Sequence, residues 1–270
     1  TTSPTRAPMT SSPTNTPTSS PTSSPTVSPT SSPTSSPTGP TGAPTLNPTK
    51  LACAFDSLTL PGFTTADFGN SVAIVGDTLV VGSKKGEGAY VFSRLDMWDS
   101  RQSPGAWEWE YMQFLDALGG NQGNYFSAQN IAFDGDTMLI GASGAAAKVG
   151  AAYVFILQDG MWTEKQKLMA TDGKEDDFFG DNVAIRGDML VVGAIGDQDQ
   201  GSFTGAAYIF SLQNDKWIQT DKLMALDGAE WDQFGCSVAV SPGLVAVGAL
   251  YQDEGENYAG AVYIYTPDTS

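Results

Sequence analysis

Four copies of one pattern constrain the fold of this chain more than any other feature of its sequence. The most complete copy, Trp162 to Phe210, holds a tryptophan segment, a cluster of acids, a Phe-Gly pair, two apolar segments joined by Gly-Asp, and the segment GAAYIF. Close variants of that last segment, GAYVF, GAAYVF and GAVYIY, occur in the other copies, and the glycines that end the second apolar segments are 59, 52 and 55 residues apart. Each copy should therefore form the same structural unit.

Each unit is predicted to be a four-stranded antiparallel sheet. Two short Val/Ile/Leu-rich runs joined by a two-residue Gly turn are typical of a β-hairpin. The GAxYxF segment supplies a third strand and the tryptophan segment a fourth. We predict the first strands at residues 71–75, 130–133, 182–185 and 237–240, and the hairpin turns at Gly76-Asp77, Gly135-Asp136, Gly187-Asp188 and Pro242-Gly243.

Composition divides the chain near residue 50. Residues 1–50 hold 12 of the 16 prolines, no aromatic residue and no acid. Proline fixes φ and this segment offers little apolar surface to bury, so we predict a disordered Ser/Thr/Pro-rich stalk. Either it carries O-linked glycans or it is an unmodified linker. Residues 51–270 remain for a folded domain, which is long enough to build a core of its own.

Charge and residue usage exclude several classes of function. The chain has 30 acidic and 13 basic residues, no histidine and a formal net charge of −17. A surface this acidic repels phosphate backbones, so no nucleic-acid partner is expected. The absence of histidine excludes His-based catalysis and Ser-His-Asp triads. No apolar run is long enough to span a bilayer, so no transmembrane segment is expected in this chain.

The repeated Phe-Gly, Gly-Ala and GxxYxF elements resemble the FG-GAP repeat of the integrin alpha-subunit β-propellers and of many secreted microbial and algal surface proteins. The resemblance implies an all-β fold, a β-propeller of four-stranded antiparallel blades, with recognition at loops on one face and no catalysis by the repeats. Units start near residues 68, 126, 179 and 234. Unit two departs from the motif with Tyr125-Phe126-Ser127, and unit four with Ser241-Pro242-Gly243, so local irregularity is expected there.

The number of blades stays open at this stage. Four units either close as a small four-bladed ring or form part of a larger propeller. Residues 54–60 stand in the register of a fourth strand and could complete the last blade. Under that closed arrangement the two cysteines, Cys53 and Cys236, lie too far apart for a disulfide and should be free thiols.

Calcium is a possible cofactor that the resemblance brings in. Integrin-type repeats bind it through D-x-D-x-D-G loops, but no such loop occurs here. Other Gly-rich loops carry acids that could hold a weak calcium site, namely Asp197, Asp199, Asp253 and Glu254. The alternative is that these acids are solvated and bind no metal.

Candidate ligand-binding residues are aromatic residues that do not recur from unit to unit: Trp98, Phe203, Trp231 and Tyr251. The tripeptide Arg186-Gly187-Asp188 is interpreted as a hairpin turn, because the other units carry Gly-Asp at the same point. We expect an extracellular or cell-surface, non-enzymatic binding or adhesion module with a protein or glycan ligand. The alternatives are a structural component of a wall or matrix, and an enzyme that uses loop carboxylates on polysaccharide.

Overall fold

The computed structural model describes residues 67–83, 88–96, 107–116, 130–252 and 259–266. The proposed stalk (1–50), the proposed closing strand (54–60), Cys53 and the start of unit two near residue 126 lie outside the described residues. Within the described residues, no helix is long and apolar enough to cross a membrane.

The described residues form four antiparallel sheets, and the strands of each sheet pair in chain order. We call these sheets blades 1 to 4. Blade 1 contains β1 (Phe68–Val75), β2 (Thr78–Ser83), β3 (Gly88–Asp96) and β4 (Trp107–Leu115). Blade 2 contains β5 (Asn130–Asp134), β6 (Thr137–Ala142), β7 (Ala151–Gln158) and β8 (Met161–Leu168).

Blade 3 contains β9 (Phe179–Arg186), β10 (Met189–Ala194), β11 (Ala206–Gln213) and β12 (Lys216–Leu223). The described part of blade 4 has three strands, β13 (Phe234–Ser241), β14 (Leu244–Ala249) and β15 (Ala261–Tyr265). A four-residue helical turn, α1 (Ala145–Lys148), lies between β6 and β7, and Ala146 and Ala147 within it have left-handed backbone angles.

The predicted hairpin turns are confirmed in all four units. The pairs that flank them include Val75 with Thr78 and Ser241 with Leu244, each separated by two residues. In units one to three the first turn residue is a glycine with φ between 55° and 58°. In unit four the first turn residue is proline, which cannot adopt a positive φ, and Gly243 takes the positive value at 74° instead. The substitution therefore changes the turn type while the pairing on either side is unchanged.

The first strands begin earlier than predicted in three units. They start at the Phe of the Phe-Gly pair, at Phe68, Phe179 and Phe234, because this residue pairs with the end of the second strand across a bulge. The bulge contains the Phe-Gly glycine in the left-handed region, with φ of 90°, 93° and 94° at Gly69, Gly180 and Gly235. In unit two, where the motif is altered, the described first strand starts only at Asn130.

Three hydrophobic clusters lie between consecutive blades, one for each pair. The recurring aromatic residues of blades 2 to 4 belong to them, whereas Tyr90 and Phe92 of blade 1 form a separate cluster with Val81. Trp162 and Trp217 are each 4% exposed, and Tyr208 is fully buried. A side-chain amide on the fourth strand adds a link to the next blade: Gln113 and Gln166 each exchange two hydrogen bonds of 2.7–3.0 Å with the backbone of Trp162 and Trp217.

The repeated glycines allow the backbones of neighbouring blades to approach closely. A Cβ added at Gly141 in β6 would lie 2.1 Å from the carbonyl oxygen of Gly180 in β9. The next junction has the same contact, 2.0 Å between a Cβ at Gly193 and the carbonyl oxygen of Gly235. Any side chain at these positions would push the blades apart, which explains why the motif requires glycine.

Candidate functional site

At two blade junctions, a loop of one blade meets a loop of the next blade through backbone hydrogen bonds. At the junction of blades 2 and 3, the amides of Phe178 and Phe179 donate to the carbonyls of Lys148 and Val149 at 2.9 and 3.0 Å. At the junction of blades 3 and 4, the amides of Gln233 and Phe234 donate to the carbonyls of Phe203 and Thr204 at 3.0 and 2.9 Å. The loop that follows the second strand is thus fixed against the loop that precedes the next blade.

Three aromatic side chains form a row across these junctions, and we call Phe178, Phe203 and Trp231 the aromatic row. The rings of Phe203 and Trp231 are stacked, with centroids 4.7 Å apart and planes at 6°. Phe178 lies 6.2 Å from Phe203, and the ammonium group of Lys148 lies 5.6 Å from the centroid of the Phe178 ring. Trp231 is 55% exposed, so one end of the row is open to solvent.

All three residues of the aromatic row have left-handed backbone conformations. Their φ values are 56° for Phe178, 54° for Phe203 and 76° for Trp231. This region costs roughly 1–2 kcal/mol for a residue with a Cβ. The matching residues Lys148, Asp176 and Gln233 adopt it too, so the conformation belongs to the loops of both junctions and not to this site alone. The surrounding backbone hydrogen bonds hold the rings in this arrangement before any ligand arrives.

The structure brings together two of the predicted ligand-binding residues, Phe203 and Trp231, and places a third nearby. The amide of Tyr251 donates to the carbonyl of Asp232, the neighbour of Trp231, at 3.2 Å, and the Tyr251 side chain is 38% exposed. Trp98 lies outside the described residues. Phe178 was not predicted, because it directly precedes the repeated Phe-Gly pair and no separate sequence signal marks it.

A cluster of three carboxylates lies around one lysine in blade 3, and we call Asp172, Asp197, Asp199 and Lys222 the lysine cluster. Carboxylate oxygens of the three aspartates lie within 4.8 Å of one another. Lys222 Nζ donates to Asp172, Asp197 and Asp199 at 2.7, 2.8 and 2.6 Å. The hydroxyl of Tyr208 also donates to Asp197, at 2.9 Å, and Lys174 Nζ donates to Asp199 at 2.5 Å.

This arrangement places an ammonium group where a metal ion would have to bind. The predicted calcium ligands Asp197 and Asp199 do come together, and the structure adds Asp172, but Lys222 holds all three. Asp253 and Glu254 lie outside the described residues. Lys222 was missed because a lysine beside a β-strand leucine has no distinctive sequence signal, and its partners are 23 to 50 residues away in the sequence.

The charges of the lysine cluster shift the pKa values of Asp172, Asp199 and Lys222. Hydrogen bonds from Lys174 and then from Lys222 lower the pKa of Asp199 to about 2. Burial acts to raise the pKa of Asp172, but the hydrogen bond and charge of Lys222 outweigh it and the pKa is lowered. Burial likewise opposes the charged form of Lys222, yet its three carboxylate partners raise the pKa of this lysine. All these groups are therefore charged near neutral pH.

Asp177 contributes a buried carboxylate next to this cluster. It is 1% exposed, and one of its oxygens accepts the amide of Lys174 at 2.6 Å. Its other oxygen, Oδ1, has no hydrogen-bond partner among the described residues. Burial raises the pKa of Asp177, and the charge of Asp197 acts in the same direction.

The Arg186-Gly187-Asp188 tripeptide is a hairpin turn, as interpreted from the sequence. Gly187 has φ of 58°, and the flanking residues Arg186 and Met189 pair across the turn. Both the Arg186 guanidinium and the Gly187 amide contact the carboxylate of Asp134 in the preceding blade. These residues are thus engaged within the protein.

Cys236 is a free thiol among the described residues.

Four consecutive antiparallel sheets, packed face to face in chain order, define the class of this protein: it is a β-propeller protein. A family model described as the FG-GAP repeat matches residues 109–155, 162–210 and 217–265, which together are more than half of the chain. The chain therefore belongs to the FG-GAP repeat family. The match to each unit begins at its tryptophan and ends in its third strand, so the family unit spans two neighbouring blades of the structure.

Solved structures of other proteins resemble the fold at low sequence identity. The N-terminal domain of Nup159 matches with a TM-score of 0.40 and 13% identity over 73% of this chain and 44% of its own. A europium-containing methanol dehydrogenase matches with a TM-score of 0.45 and 12% identity over 77% of this chain and 41% of its own. This chain thus spans less than half the length of either structure. A search of curated protein sequences finds no match.

Proposed function

We propose that this chain is a non-enzymatic extracellular binding or adhesion module that presents its loops to a protein or glycan ligand. The observation that carries the proposal is the stack of Phe203 and Trp231, at 4.7 Å and 6°, with Trp231 55% exposed. An exposed aromatic ring that is already held in place loses little conformational freedom on binding, which favours affinity. Its outer face offers a flat apolar surface to a sugar ring or an apolar side chain.

The acids beside the aromatic row complement this apolar surface. Asp176 is paired with Lys148 at 3.0 Å and Lys174 with Asp199 at 2.5 Å, and the side chains of both lysines are more than half exposed. Carboxylates and ammonium groups at the rim of an aromatic platform can hydrogen-bond to sugar hydroxyls or to polar groups of a protein. A small apolar centre with a polar rim is the usual anatomy of a binding surface.

The titration of the lysine cluster favours binding over catalysis. Its carboxylates approach one another about as closely as those of a retaining glycosidase, which lie about 5–5.5 Å apart. Such an enzyme requires one carboxyl group whose pKa is raised so that it can donate a proton. Here the pKa of Asp199 is lowered to about 2, and that of Asp172 is also lowered. Lys222 therefore keeps these groups in the form that cannot act as an acid. The neighbouring carboxyl group whose pKa is raised, that of Asp177, is 1% exposed and out of reach of a substrate.

The test is a glycan array together with a pull-down of extracellular proteins, both with the full 270-residue chain. We expect a ligand whose binding falls at least about tenfold in Trp231→Ala, a loss typical of an aromatic residue at the centre of an interface. Tyr111→Ala is the matched control, because Tyr111 is an aromatic residue of similar exposure, 46%, on blade 1. Equal losses in both variants would contradict the proposed site.

Two further outcomes of the same experiment identify the alternatives. Release of reducing sugar from a polysaccharide would show that the chain is an enzyme and not a binding module. Failure to bind any glycan or protein would favour a structural component of a wall or matrix. The Ser/Thr/Pro-rich composition of residues 1–50 supports placement on a stalk at a cell surface in either of the non-enzymatic readings.

A further inference from the structure

The junction of blades 2 and 3 and the junction of blades 3 and 4 carry different side chains at matching positions. Lys148 and Phe203 each lie two residues before the glycine that precedes the third strand, and their carbonyls accept amides of the next loop at 2.9 and 3.0 Å. Asp176 and Trp231 each lie three residues before the Phe-Gly glycine's phenylalanine, with φ of 67° and 76°. Lys148 therefore matches Phe203, and Asp176 matches Trp231.

At the junction of blades 2 and 3, the matching residues form an ion pair next to an aromatic ring. Lys148 Nζ lies 3.0 Å from a carboxylate oxygen of Asp176 and 5.6 Å from the centroid of the Phe178 ring. A cation in this position is stabilised both by the carboxylate and by the negative face of the ring. Blade 2 therefore supplies a cation of its own to this junction.

At the junction of blades 3 and 4, two stacked rings occupy these positions and blade 4 supplies no cation. Residues 223–270 contain seven acidic residues and no lysine or arginine. Ala229 stands where the matching loop before blade 3 has Lys174, and Lys174 itself donates to Asp199. The tryptophan of the stack therefore belongs to a segment whose acids are not balanced by any base.

Glu230 places a carboxylate beside the stack. The amide of Trp231 donates to the carbonyl of Ser202 at 2.8 Å, and a Cβ added at Gly201 would lie 2.9 Å from Cγ of Glu230. Both side chains thus lie against the same short segment of the blade 3 loop, the segment that carries Phe203. Glu230 is exposed, and the salt bridges between described residues do not involve it. Its charge is therefore available to a ligand.

We propose that the exposed face of Trp231 binds an arginine or lysine side chain of a basic protein segment, with Glu230 as its carboxylate partner. This inference rests on the proposed function and narrows its ligand to a basic protein. The partner supplies here the cation that Lys148 supplies at the preceding junction, next to a ring and beside a carboxylate. Tryptophan is the aromatic side chain that attracts a cation most strongly, and the planar guanidinium of an arginine also stacks on it.

The charge of the chain favours a basic protein over a neutral sugar at this site. The formal net charge is −17, and the segment that carries Trp231 has no base. Opposite charge on a partner speeds its encounter with such a surface and discriminates against partners of the wrong charge. A neutral sugar gains nothing from this field and would be held by contact with the ring and by hydrogen bonds alone.

Peptide binding by the full 270-residue chain tests the proposal. The probe is an array of random synthetic peptides, each made a second time with citrulline in place of arginine and norleucine in place of lysine. We expect the tightest binders to lose at least about tenfold in affinity in the neutral copy. Their binding should also weaken between about 50 and 500 mM salt, because exposed charges become screened. An array on which no peptide binds more tightly than its neutral copy would overturn the proposal.

A pair of glutamate variants, tested with the tightest-binding peptide, separates a local contact from the overall charge. Glu230→Gln removes the carboxylate beside the stack and should weaken binding about threefold, the size expected for one exposed ion pair. Glu175→Gln is the matched control, because Glu175 is the exposed glutamate at the same position of the loop before blade 3. It removes the same charge and should change binding little. Equal losses in the two variants would contradict a role for Glu230.

A double variant that keeps the net charge tests the stack itself. Phe203→Lys/Trp231→Asp rebuilds the ion pair of the preceding junction, where Lys148 and Asp176 have the same left-handed backbone conformation. We expect a loss of peptide binding of at least about tenfold. Trp231→Ala, which changes one exposed side chain, gives the same comparison if the double variant does not fold. Undiminished peptide binding by a folded variant, as judged by thermal unfolding, would contradict the proposal.

The glycan array distinguishes failure of this inference from failure of the proposed function. A neutral glycan whose binding requires Trp231 would leave the binding module in place and overturn the basic partner. Absence of any glycan, peptide or protein ligand would overturn both.

Discussion

The loops that follow the second strands of blades 2 and 3 are closed by the same hydrogen bond, although they differ in length, and they carry different chemistry. In residues 143–149 and 195–204 alike, the glycine that precedes the third strand donates to a carbonyl in its own loop, Gly150 to Ala145 at 2.9 Å and Gly205 to Asp197 at 3.0 Å. The blade 2 loop carries Ala145 and Lys148 where the blade 3 loop carries Asp197 and Phe203. The frame is therefore common to the units, and the site arises from side chains that one unit acquired.

The lysines beneath these loops extend the comparison. Lys167 and Lys222 occupy the same register and lie 5.6 and 5.3 Å from the rings of Tyr153 and Tyr208. Lys222 also binds three carboxylates, whereas the blade 2 loop between residues 143 and 149 has no acid to offer Lys167. A lysine above a tyrosine ring is therefore common to blades 2 and 3, and only in blade 3 do three aspartates surround that lysine.

The largest effect is expected from breaking the shared frame. Gly150→Ala and Gly205→Ala place a Cβ 2.0 and 2.1 Å from the backbone of the next blade, at φ of 90° and 84°. We expect each to lower the free energy of unfolding by about 4 kcal/mol or more, from overpacking and backbone strain together. Gly160→Ala is the control, since it has φ of 80° and open space, and should cost only about 1–2 kcal/mol.

Chemical denaturation of the three glycine variants gives this comparison directly. Similar losses for Gly150→Ala and Gly205→Ala would confirm that both junctions use the same frame. A loss at Gly205 no greater than at Gly160 would show that the junction of blades 3 and 4 relaxes around a side chain.

The second effect sharpens the difference between the two lysines. Lys222→Met leaves Asp197, which is 2% exposed, without its cationic partner, and should lower the free energy of unfolding by about 3 kcal/mol. Lys167→Met removes a cation from above a tyrosine ring at an exposed site and should cost less than about 1 kcal/mol. Equal losses in urea unfolding would mean that the acids around Lys222 add little.

A third prediction concerns calcium. Lys222→Ala leaves three carboxylates within 4.8 Å of one another, a ligand set that suits a hard cation. At calcium concentrations several-fold above its dissociation constant, this variant should gain about 1 kcal/mol of stability by mass action. Calorimetry in calcium and in a chelator provides the measurement, with Lys167→Ala as the control. Equal stabilisation of the wild type would show that Lys222 does not compete with calcium.

The smallest effect is the pH dependence, because the acids concerned are partly exposed. The pKa of Asp199 is lowered from an ordinary 3.8 to about 2, and that of Asp172 is lowered too. Such groups stabilise the fold fully above the ordinary value, and this stability is lost as the pH falls toward 2. The raised pKa of Asp177 acts in the opposite direction and reduces the loss.

We therefore expect the wild type to lose more stability between pH 5 and pH 2.5 than Lys222→Met, which lacks the interaction from the start. Lys167→Met should follow the wild type. Thermal unfolding over this pH range, monitored by circular dichroism, provides the comparison. Parallel curves for all three proteins would show that the lysine cluster is not the source of the dependence.

The sequence by itself determined the repeated unit, because strand alternation, two-residue glycine turns and fixed spacings are local signals that survive without tertiary contacts. It also identified Phe203 and Trp231 as aromatic residues that do not recur, and Asp197 and Asp199 as acids of one Gly-rich loop. It placed the first strands too late at three units, since the Phe-Gly bulge is defined by pairing with the second strand and not by an alternation of residues.

Only the tertiary structure decided what those residues contact. Phe203 and Trp231 are 28 positions apart and stack because two loops pair across a blade junction. Lys222 binds aspartates that are 23 to 50 residues away in the sequence. The sequence therefore could not show whether these acids bind a metal ion or the ammonium group of a lysine. Burial by a neighbouring sheet is likewise a property of packing, and for that reason only the structure showed that Val72 of β1 is 67% exposed while the matching Val183 of β9 is 4% exposed.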